Sequence, residues 1–202
     1  MSAVFDDYWL NLREPDETLI RYHSIEGEPV EISVSAFQMA ASRAAGLLRN
    51  AGLGTGDFFV LGFGENTVED LAFRVGAVRV GVIPVTMNWQ ADSRERILFK
   101  LQLTEAKAWV AHKSFEPSFW SELQNDFGNI ALIRSEEVWD EATECDNREI
   151  AALSGHDSRI VLFTSGTTGT PKAVVHSFEN YRQNQLCFES FLEVNPDSKI
   201  VL

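Results

Sequence analysis

The stretch of this chain best suited to chemistry is a run of hydroxyl residues and glycines between two apolar segments. It reads Thr164-Ser165-Gly166-Thr167-Thr168-Gly169-Thr170-Pro171-Lys172. Hydroxyl groups donate hydrogen bonds to anionic oxygens, glycines let a ligand approach the main chain, and Lys172 adds a positive charge. Each hydrogen bond to a charged oxygen is worth roughly 1.5–3 kcal/mol, so a few of them would hold a phosphate chain. The pattern therefore predicts a loop that binds polyphosphate.

A polar surface turn is the alternative interpretation, since turns rich in glycine and threonine are common. Order and context favour the binding loop, because it is expected to connect two buried strands, at residues 160–163 and 173–176. The loop is not a Walker-type loop, since Lys172 does not follow a glycine and leads into a strand rather than a helix. Elsewhere, Gly62-Phe63-Gly64 lacks the third glycine of a dinucleotide fingerprint, which indicates a structural role.

Strand-like and helix-like segments alternate along the rest of the chain, which predicts an α/β fold. An antiparallel hairpin is expected from residues 18–22 and 30–34. Further strands are predicted at residues 58–63, 82–86, 106–111, 130–134 and 199–202. Helices are predicted from Ser35 to about Gly52, from Asn66 to Gly81, and at residues 92–103, 115–125 and 179–191. The acidic residues 136–157 are interpreted as a surface excursion.

Three residues are predicted to cap helices at their N-termini, namely Ser35, Asn66 and Asp92. The strand–helix–strand unit around Asn66 predicts a parallel crossover. Parallel strands require helices on both faces of the sheet, so the helices are expected to form layers around it.

Composition excludes several classes of function. The net charge of −13 argues against nucleic acid as a partner, since binding it requires many Lys and Arg residues. No apolar run is long enough to span a membrane, and the N-terminus lacks the features of a secretory signal. Cys145 and Cys187 are far apart, and the four histidines (His23, His112, His156, His176) are scattered, so no metal site is predicted. Two reduced thiols favour a cytoplasmic protein.

The loop from Thr164 to Lys172 resembles the phosphate-binding signature of the adenylate-forming superfamily. This group includes acyl-CoA synthetases, peptide-synthetase adenylation domains and firefly-type luciferases. Residues 47–57 resemble the helix, turn and Gly-Asp pair that precede the family's first core strand. Residues 76–85 resemble its glycine-containing crossover. The likeness thus extends from about Thr18 to Leu202.

This resemblance implies an ATP-dependent ligase of the acyl-CoA synthetase type. A small carboxylic acid would attack the α-phosphate of ATP, with Mg²⁺ sharing the charge, and a thiol such as coenzyme A would then accept the acyl group. The residues implied to contact the triphosphate are Thr164, Ser165, Gly166, Thr167, Thr168, Gly169 and Lys172. The family's adenylation lysine lies beyond this stretch, so no catalytic residue is assigned within residues 1–202.

The resemblance also places His176 and Phe178 at the border of the acid pocket. Relatives often carry a second histidine where this chain has Phe178, which offers no hydrogen-bond donor. For His176, a packed histidine satisfied by the backbone is an equal alternative. For Phe178 and for Phe188 on the following helix, core packing is the favoured interpretation.

The implied architecture is a layered, largely parallel sheet flanked by helices, with residues 1–202 forming a partial N-terminal (AMP-binding) domain. The family's adenine, magnesium and ribose motifs are not matched in the chain, so it is expected to be catalytically incomplete alone. A non-catalytic nucleotide-binding or interaction module is the alternative, and a phosphotransferase ranks behind both. The acid, the thiol and the oligomeric state stay open.

Overall fold

Eight strands and five helices make up the part of the chain that the computed structural model describes. That part comprises residues 13–23, 28–88, 92–113, 117–128, 130–146, 150–164 and 171–192. The strands are β1 (Thr18–Tyr22), β2 (Val30–Ser33), β3 (Phe58–Gly62), β4 (Ile83–Thr86), β5 (Ala108–Ala111), β6 (Ala131–Arg134), β7 (Ser158–Thr164) and β8 (Lys172–Ser177). The helices are α1 (Val34–Asn50), α2 (Val68–Val80), α3 (Arg94–Thr104), α4 (Pro117–Phe127) and α5 (Phe178–Leu192).

Six strands form one sheet in the order β6-β5-β3-β4-β7-β8, and β1 and β2 pair separately. Every neighbouring pair in the large sheet is parallel except β7 and β8, which are antiparallel. The predicted largely parallel α/β sheet is therefore confirmed, as is the antiparallel β1–β2 hairpin. The strand predicted at residues 199–202 lies outside the described residues.

The two faces of the large sheet carry separate hydrophobic clusters. Successive residues of a strand point to opposite faces, so Phe59 and Leu61 enter one cluster while Val60 enters the other. Helices α1 and α2 cover the first face, with Phe37, Leu48 and Phe73 buried there. Helix α3 covers the second face through Ile97 and Leu101. Helices thus flank the sheet on both sides, as parallel strands require.

The helices begin one or two residues away from their predicted caps. Helix α1 is capped by Ser33, whose hydroxyl accepts a hydrogen bond from Ala36 N, and not by Ser35. Thr67 caps α2 and Ser93 caps α3, so the predictions of Asn66 and Asp92 were also wrong. In each case two suitable cap residues lie close together in the sequence. The displaced Asn66 lines a cleft and the displaced Asp92 pairs with Lys100, both of which are tertiary contacts.

Parts of the segment after β6 are more deeply buried than the sequence predicts. Ser135–Trp139 forms a 3₁₀ helix in which Ser135 and Val138 are fully buried. Further along, the Asp146 carboxylate lies 2.7 Å from Arg49 Nε on α1. Most described residues of 136–157 are exposed or half-buried, as the interpretation of a surface excursion expects, but Val138 and Asp146 pack on the α1–α2 layer.

Candidate nucleotide site

The predicted phosphate loop connects the two antiparallel strands β7 and β8. Thr164 is the last residue of β7 and is paired in register with Lys172, the first residue of β8. Both are exposed. Five of the predicted phosphate ligands, Ser165, Gly166, Thr167, Thr168 and Gly169, lie outside the described residues. The structure therefore describes the two ends of the loop, and the ends are adjacent.

The strand that enters the loop is partly buried, whereas the strand that leaves it is not. On β7, Ile160 and Val161 are each only 1% exposed. On β8, Lys172, Ala173, Val174 and Val175 are all exposed. The expectation of two buried strands was thus correct only for the first, because β8 lies at the edge of the sheet with no described element over these residues.

A cleft of about 460 Å³ opens beside the start of this loop. Its walls come from the carboxyl ends of three strands, with Phe63 and Asn66 following β3, Thr86 and Asn88 at the end of β4, and Phe163 on β7. β3 leads to a helix on one face of the sheet and β4 leads to a helix on the other, so the chain diverges here. A crevice at such a switch point is where open α/β sheets bind ligands.

Charged groups on the cleft wall are held in pairs. Asp70 Oδ2 accepts a hydrogen bond of 2.9 Å from Arg74 Nε, one helical turn along α2. The Lys100 ammonium pairs with Asp92, and both side chains are almost fully buried. At the end of β5, the buried His112 lies 4.0 Å from a carboxylate oxygen of Glu65, another residue of the cleft wall. The cleft wall therefore combines apolar groups with ion-paired charges.

Two buried polar atoms of the cleft-lining residues have no hydrogen-bond partner within the described part of the chain. They are the Thr86 hydroxyl and Asp70 Oδ1. Buried polar atoms in folded proteins nearly always have a partner, which can be water or a ligand.

The two residues predicted at the acid-pocket border have different surroundings. His176 is half-buried on β8 and is paired in register with Ile160. Phe178 is 9% exposed, and the Arg159 guanidinium carbon lies 5.7 Å from the centre of its ring. Core packing is therefore confirmed for Phe178. It was wrong for Phe188, which is 55% exposed because α5 buries only its first turn.

The cleft residues themselves were missed from the sequence. Asp70, Arg74, Thr86, Asn88 and Lys100 follow no motif, since they come from the end of a strand, the loop after it and two helices. One signal was present: polar residues directly follow two predicted parallel strands, and the carboxyl ends of such strands meet at one edge. The structural role predicted for Gly62 fits its packing, since a Cβ there would lie 2.0 Å from Trp109 Nε1.

Among the residues that the structure describes, no cluster of three or more His, Cys, Asp or Glu side chains could hold a metal ion. A search of the same residues finds no helix with the length and apolarity needed to cross a bilayer.

The fold defines this chain as an α/β protein with a cleft at the carboxyl ends of parallel strands, near the start of the hydroxyl-rich loop that connects β7 and β8. The sequence of residues 9–202 matches the family described as AMP-binding enzyme. The chain belongs to this family, and the resemblance stated from its motifs is confirmed.

Curated relatives include ligases and a synthetase. Crotonobetaine/carnitine–CoA ligase of Salmonella agona is 28% identical over 181 residues, which cover 83% of this chain and 34% of the relative. N-benzoylphenylalaninol synthetase of Penicillium brevicompactum is 25% identical over 169 residues, covering 84% of this chain and 7% of that protein. The chain thus spans about a third of the ligase's length.

Solved structures share the fold. MatB of Rhodopseudomonas palustris superposes with a TM-score of 0.81 at 22% identity, covering 98% of this chain and 39% of that one. The o-succinylbenzoate CoA synthetase of Bacillus subtilis gives a TM-score of 0.78 at 21% identity, covering 98% and 38%. The layered α/β architecture is therefore that of the adenylate-forming enzymes.

Proposed function

We propose that this chain carries the ATP phosphate-binding part of an enzyme that activates a small carboxylic acid as an acyl-adenylate and transfers the acyl group to a thiol such as coenzyme A. The observation that supports this most directly is the position of Thr164 and Lys172. They are paired in register where β7 ends, and Phe163, the residue before Thr164, lines the cleft. Membership of the AMP-binding enzyme family and the names of the CoA ligase relatives support the same reaction class.

The chemistry that the loop would perform is charge stabilisation. A carboxylate oxygen attacks the α-phosphorus of ATP, the bond from that phosphorus to the β-phosphate oxygen breaks, and pyrophosphate leaves. The Lys172 ammonium and the hydroxyl of Thr164 would neutralise charge that develops on the leaving pyrophosphate. Residues assigned to the same task by this proposal are Ser165, Gly166, Thr167, Thr168 and Gly169.

Magnesium would arrive as the MgATP complex. The described residues include no acidic cluster suited to a metal ion of their own. Mg²⁺ usually keeps several waters and binds through substrate phosphates and one or two carboxylates, so a loop without carboxylates is compatible with MgATP. Mg²⁺ is thus treated as part of the substrate.

The acid would bind near β8 and the start of α5. In this proposal His176 and Phe178 border the acid pocket. Phe178 is packed against Arg159, so it would contribute an apolar wall and no hydrogen bond. The half-buried His176 is the residue of the two that can donate to a carboxylate.

We further propose that residues 1–202 correspond to part of the family's N-terminal domain and bind MgATP without completing the reaction. The supporting fact is that the chain covers about a third of its ligase relatives. A stand-alone, non-catalytic interaction module is the second candidate. It is favoured by the exposed apolar residues on α5, which include Tyr181, Leu186, Phe188 and Phe191.

Calorimetric titration with MgATP tests the phosphate-binding role. The wild-type chain should bind, and Lys172→Met should weaken binding about tenfold, the effect of losing one charge-assisted contact. Lys107→Met is the matched control. Lys107 is also an exposed lysine, but it lies at the amino end of β5, away from the carboxyl ends of the strands that form the cleft, and pairs with Asp57. Equal losses in both variants, or no binding by folded wild-type chain, would contradict the proposal.

A further inference from the structure

Lys100 is an unusual lysine, because its charged end is buried. It lies on α3 and is 3% exposed, although lysine is almost never fully buried unless it is paired. Its ammonium pairs with the carboxylate of Asp92, whose side chain is 6% exposed. A buried ammonium has lost most of its hydration, so its position depends on the few groups that face it.

The second group that faces this ammonium is the ring of Phe163. Lys100 Nζ lies 4.8 Å from the centre of that ring, within the range of a cation–π contact. Phe163 lines the cleft and directly precedes Thr164, where the predicted phosphate loop begins. Lys100 therefore touches the strand one residue before the loop.

Asp92 is itself fixed to the end of β4. The backbone N–H of Asn88 donates to Asp92 Oδ2 over 3.2 Å, and the backbone N–H of Asp92 donates to Asn88 O over 2.8 Å. The contacts thus run from Asn88 through Asp92 and Lys100 to Phe163. They connect the carboxyl ends of β4 and β7, whose register contact is the single pair Val85 and Val161.

We propose that Lys100 is a positioning residue for the phosphate loop, acting through its contact with Phe163. The inference rests on the proposed function, since it assigns the loop to ATP. The ammonium orients the ring and so fixes the direction in which β7 delivers Thr164 to the ligand. Lys100 is too buried and too fully paired to serve as the phosphate ligand itself.

A double-mutant cycle on MgATP affinity tests this proposal. In the first arm Lys100→Met is combined with Asp92→Asn, so that no unpaired carboxylate is left buried and the new side-chain amide oxygen still accepts from Asn88 N–H. The second arm is Phe163→Leu, which removes the ring. Affinity is measured by ³¹P NMR titration of folded protein, and the fold is checked by circular dichroism. Lys107→Met is again the control for loss of a lysine charge.

We expect each arm alone to weaken MgATP binding about tenfold, the scale of a desolvated cation–π contact. The two arms together should also weaken it about tenfold, because they remove the same contact. A merely structural Lys100 would lower the melting temperature and leave the affinity of the folded protein unchanged. That result, or a hundredfold loss in the combined variant, would overturn this inference alone. Failure of the folded wild-type chain to bind would overturn the proposed function and this inference with it.

Discussion

Single residues decide how closely helices α1 and α2 can pack against each other. Gly76 of α2 lies against α1, and a Cβ at this position would be 2.8 Å from both Ala41 O and Ala45 N. Those atoms belong to the backbone, which cannot move aside as a flexible side chain would. Close packing at this point sets the position of α2, whose residues Asp70 and Arg74 form part of the cleft wall.

We therefore predict that Gly76→Ala lowers the free energy of unfolding by about 1–3 kcal/mol, the usual range for overpacking. Chemical denaturation of the variant measures this loss. Gly54→Ala is the matched control, since nothing lies within 4 Å of a Cβ there. If both substitutions had the same small effect, the close approach of α1 and α2 would be wrong.

The residues that line the cleft could not be identified from the sequence, unlike those of the loop. The loop from Thr164 to Lys172 is one contiguous stretch, so its chemistry can be predicted from the sequence. Thr86, Asp70 and Lys100 line one cleft only because β3, β4 and β7 lie side by side in the sheet. Strand order is not encoded in local spacing, and single-residue patterns therefore could not predict which polar groups share the cleft.

At the scale of elements, an ion pair joins the starts of β3 and β5. The Asp57 carboxylate lies 2.7 Å from Lys107 Nζ and accepts a hydrogen bond from Gly54 N over 2.9 Å. Burial alone would raise the pKa of Asp57. The Lys107 and Gly54 hydrogen bonds and the Lys107 charge together outweigh burial, so the pKa lies below its ordinary value.

Because the pKa of Asp57 is lowered in the folded state, the direction in which pH changes the stability is defined. Asp57 contributes stability at pH values above its unfolded pKa of about 3.9, and this contribution is lost as the pH falls through the lower folded value. We predict that Asp57→Asn makes the chain less stable at pH 7 by less than about 1 kcal/mol, since Lys107 is largely exposed. The difference should shrink as the pH falls below the unfolded pKa of Asp57. Urea denaturation from pH 7 to pH 3 measures it, and a difference that grows in acid would contradict the assignment.

Element type was predictable from the sequence, whereas element boundaries were not. The strands and helices within the described residues correspond to predicted segments because hydrophobic periodicity is a strong local signal. The caps were displaced because Ser33 and Ser35, or Thr67 and Asn66, compete locally for one role. The displacements are one or two residues, which is the range over which helix ends ordinarily vary.

At the scale of the whole molecule, helices cover the centre of the large sheet, whereas β8 and most of α5 are exposed. Helices pack on both faces of β3, β4 and β5, but β8 and α5 expose large apolar side chains. These are Val174, Val175, Tyr181, Leu186, Phe188, Phe191 and Leu192. Large apolar side chains that are exposed together on one helix favour association, so the chain is expected to self-associate as its concentration rises.

The largely parallel sheet was predicted from the alternation of elements, and the family was predicted from the loop and two supporting stretches. The exposure of the apolar residues on α5 was not predicted, because Phe188 and Phe191 recur at a spacing that also fits a buried helix. Apolar spacing identifies a helical face, but it does not tell what covers that face.

The central claim is that residues 164–172 hold the polyphosphate of ATP, and its most direct test is a map of where MgATP touches the chain. Backbone amide chemical shifts of the ¹⁵N-labelled protein are followed by NMR while MgATP is added. We expect the largest changes on residues 164–172, with smaller ones at Phe163 and along the cleft wall. Unchanged amides at residues 164–172, with shifts confined to another part of the molecule, would contradict it.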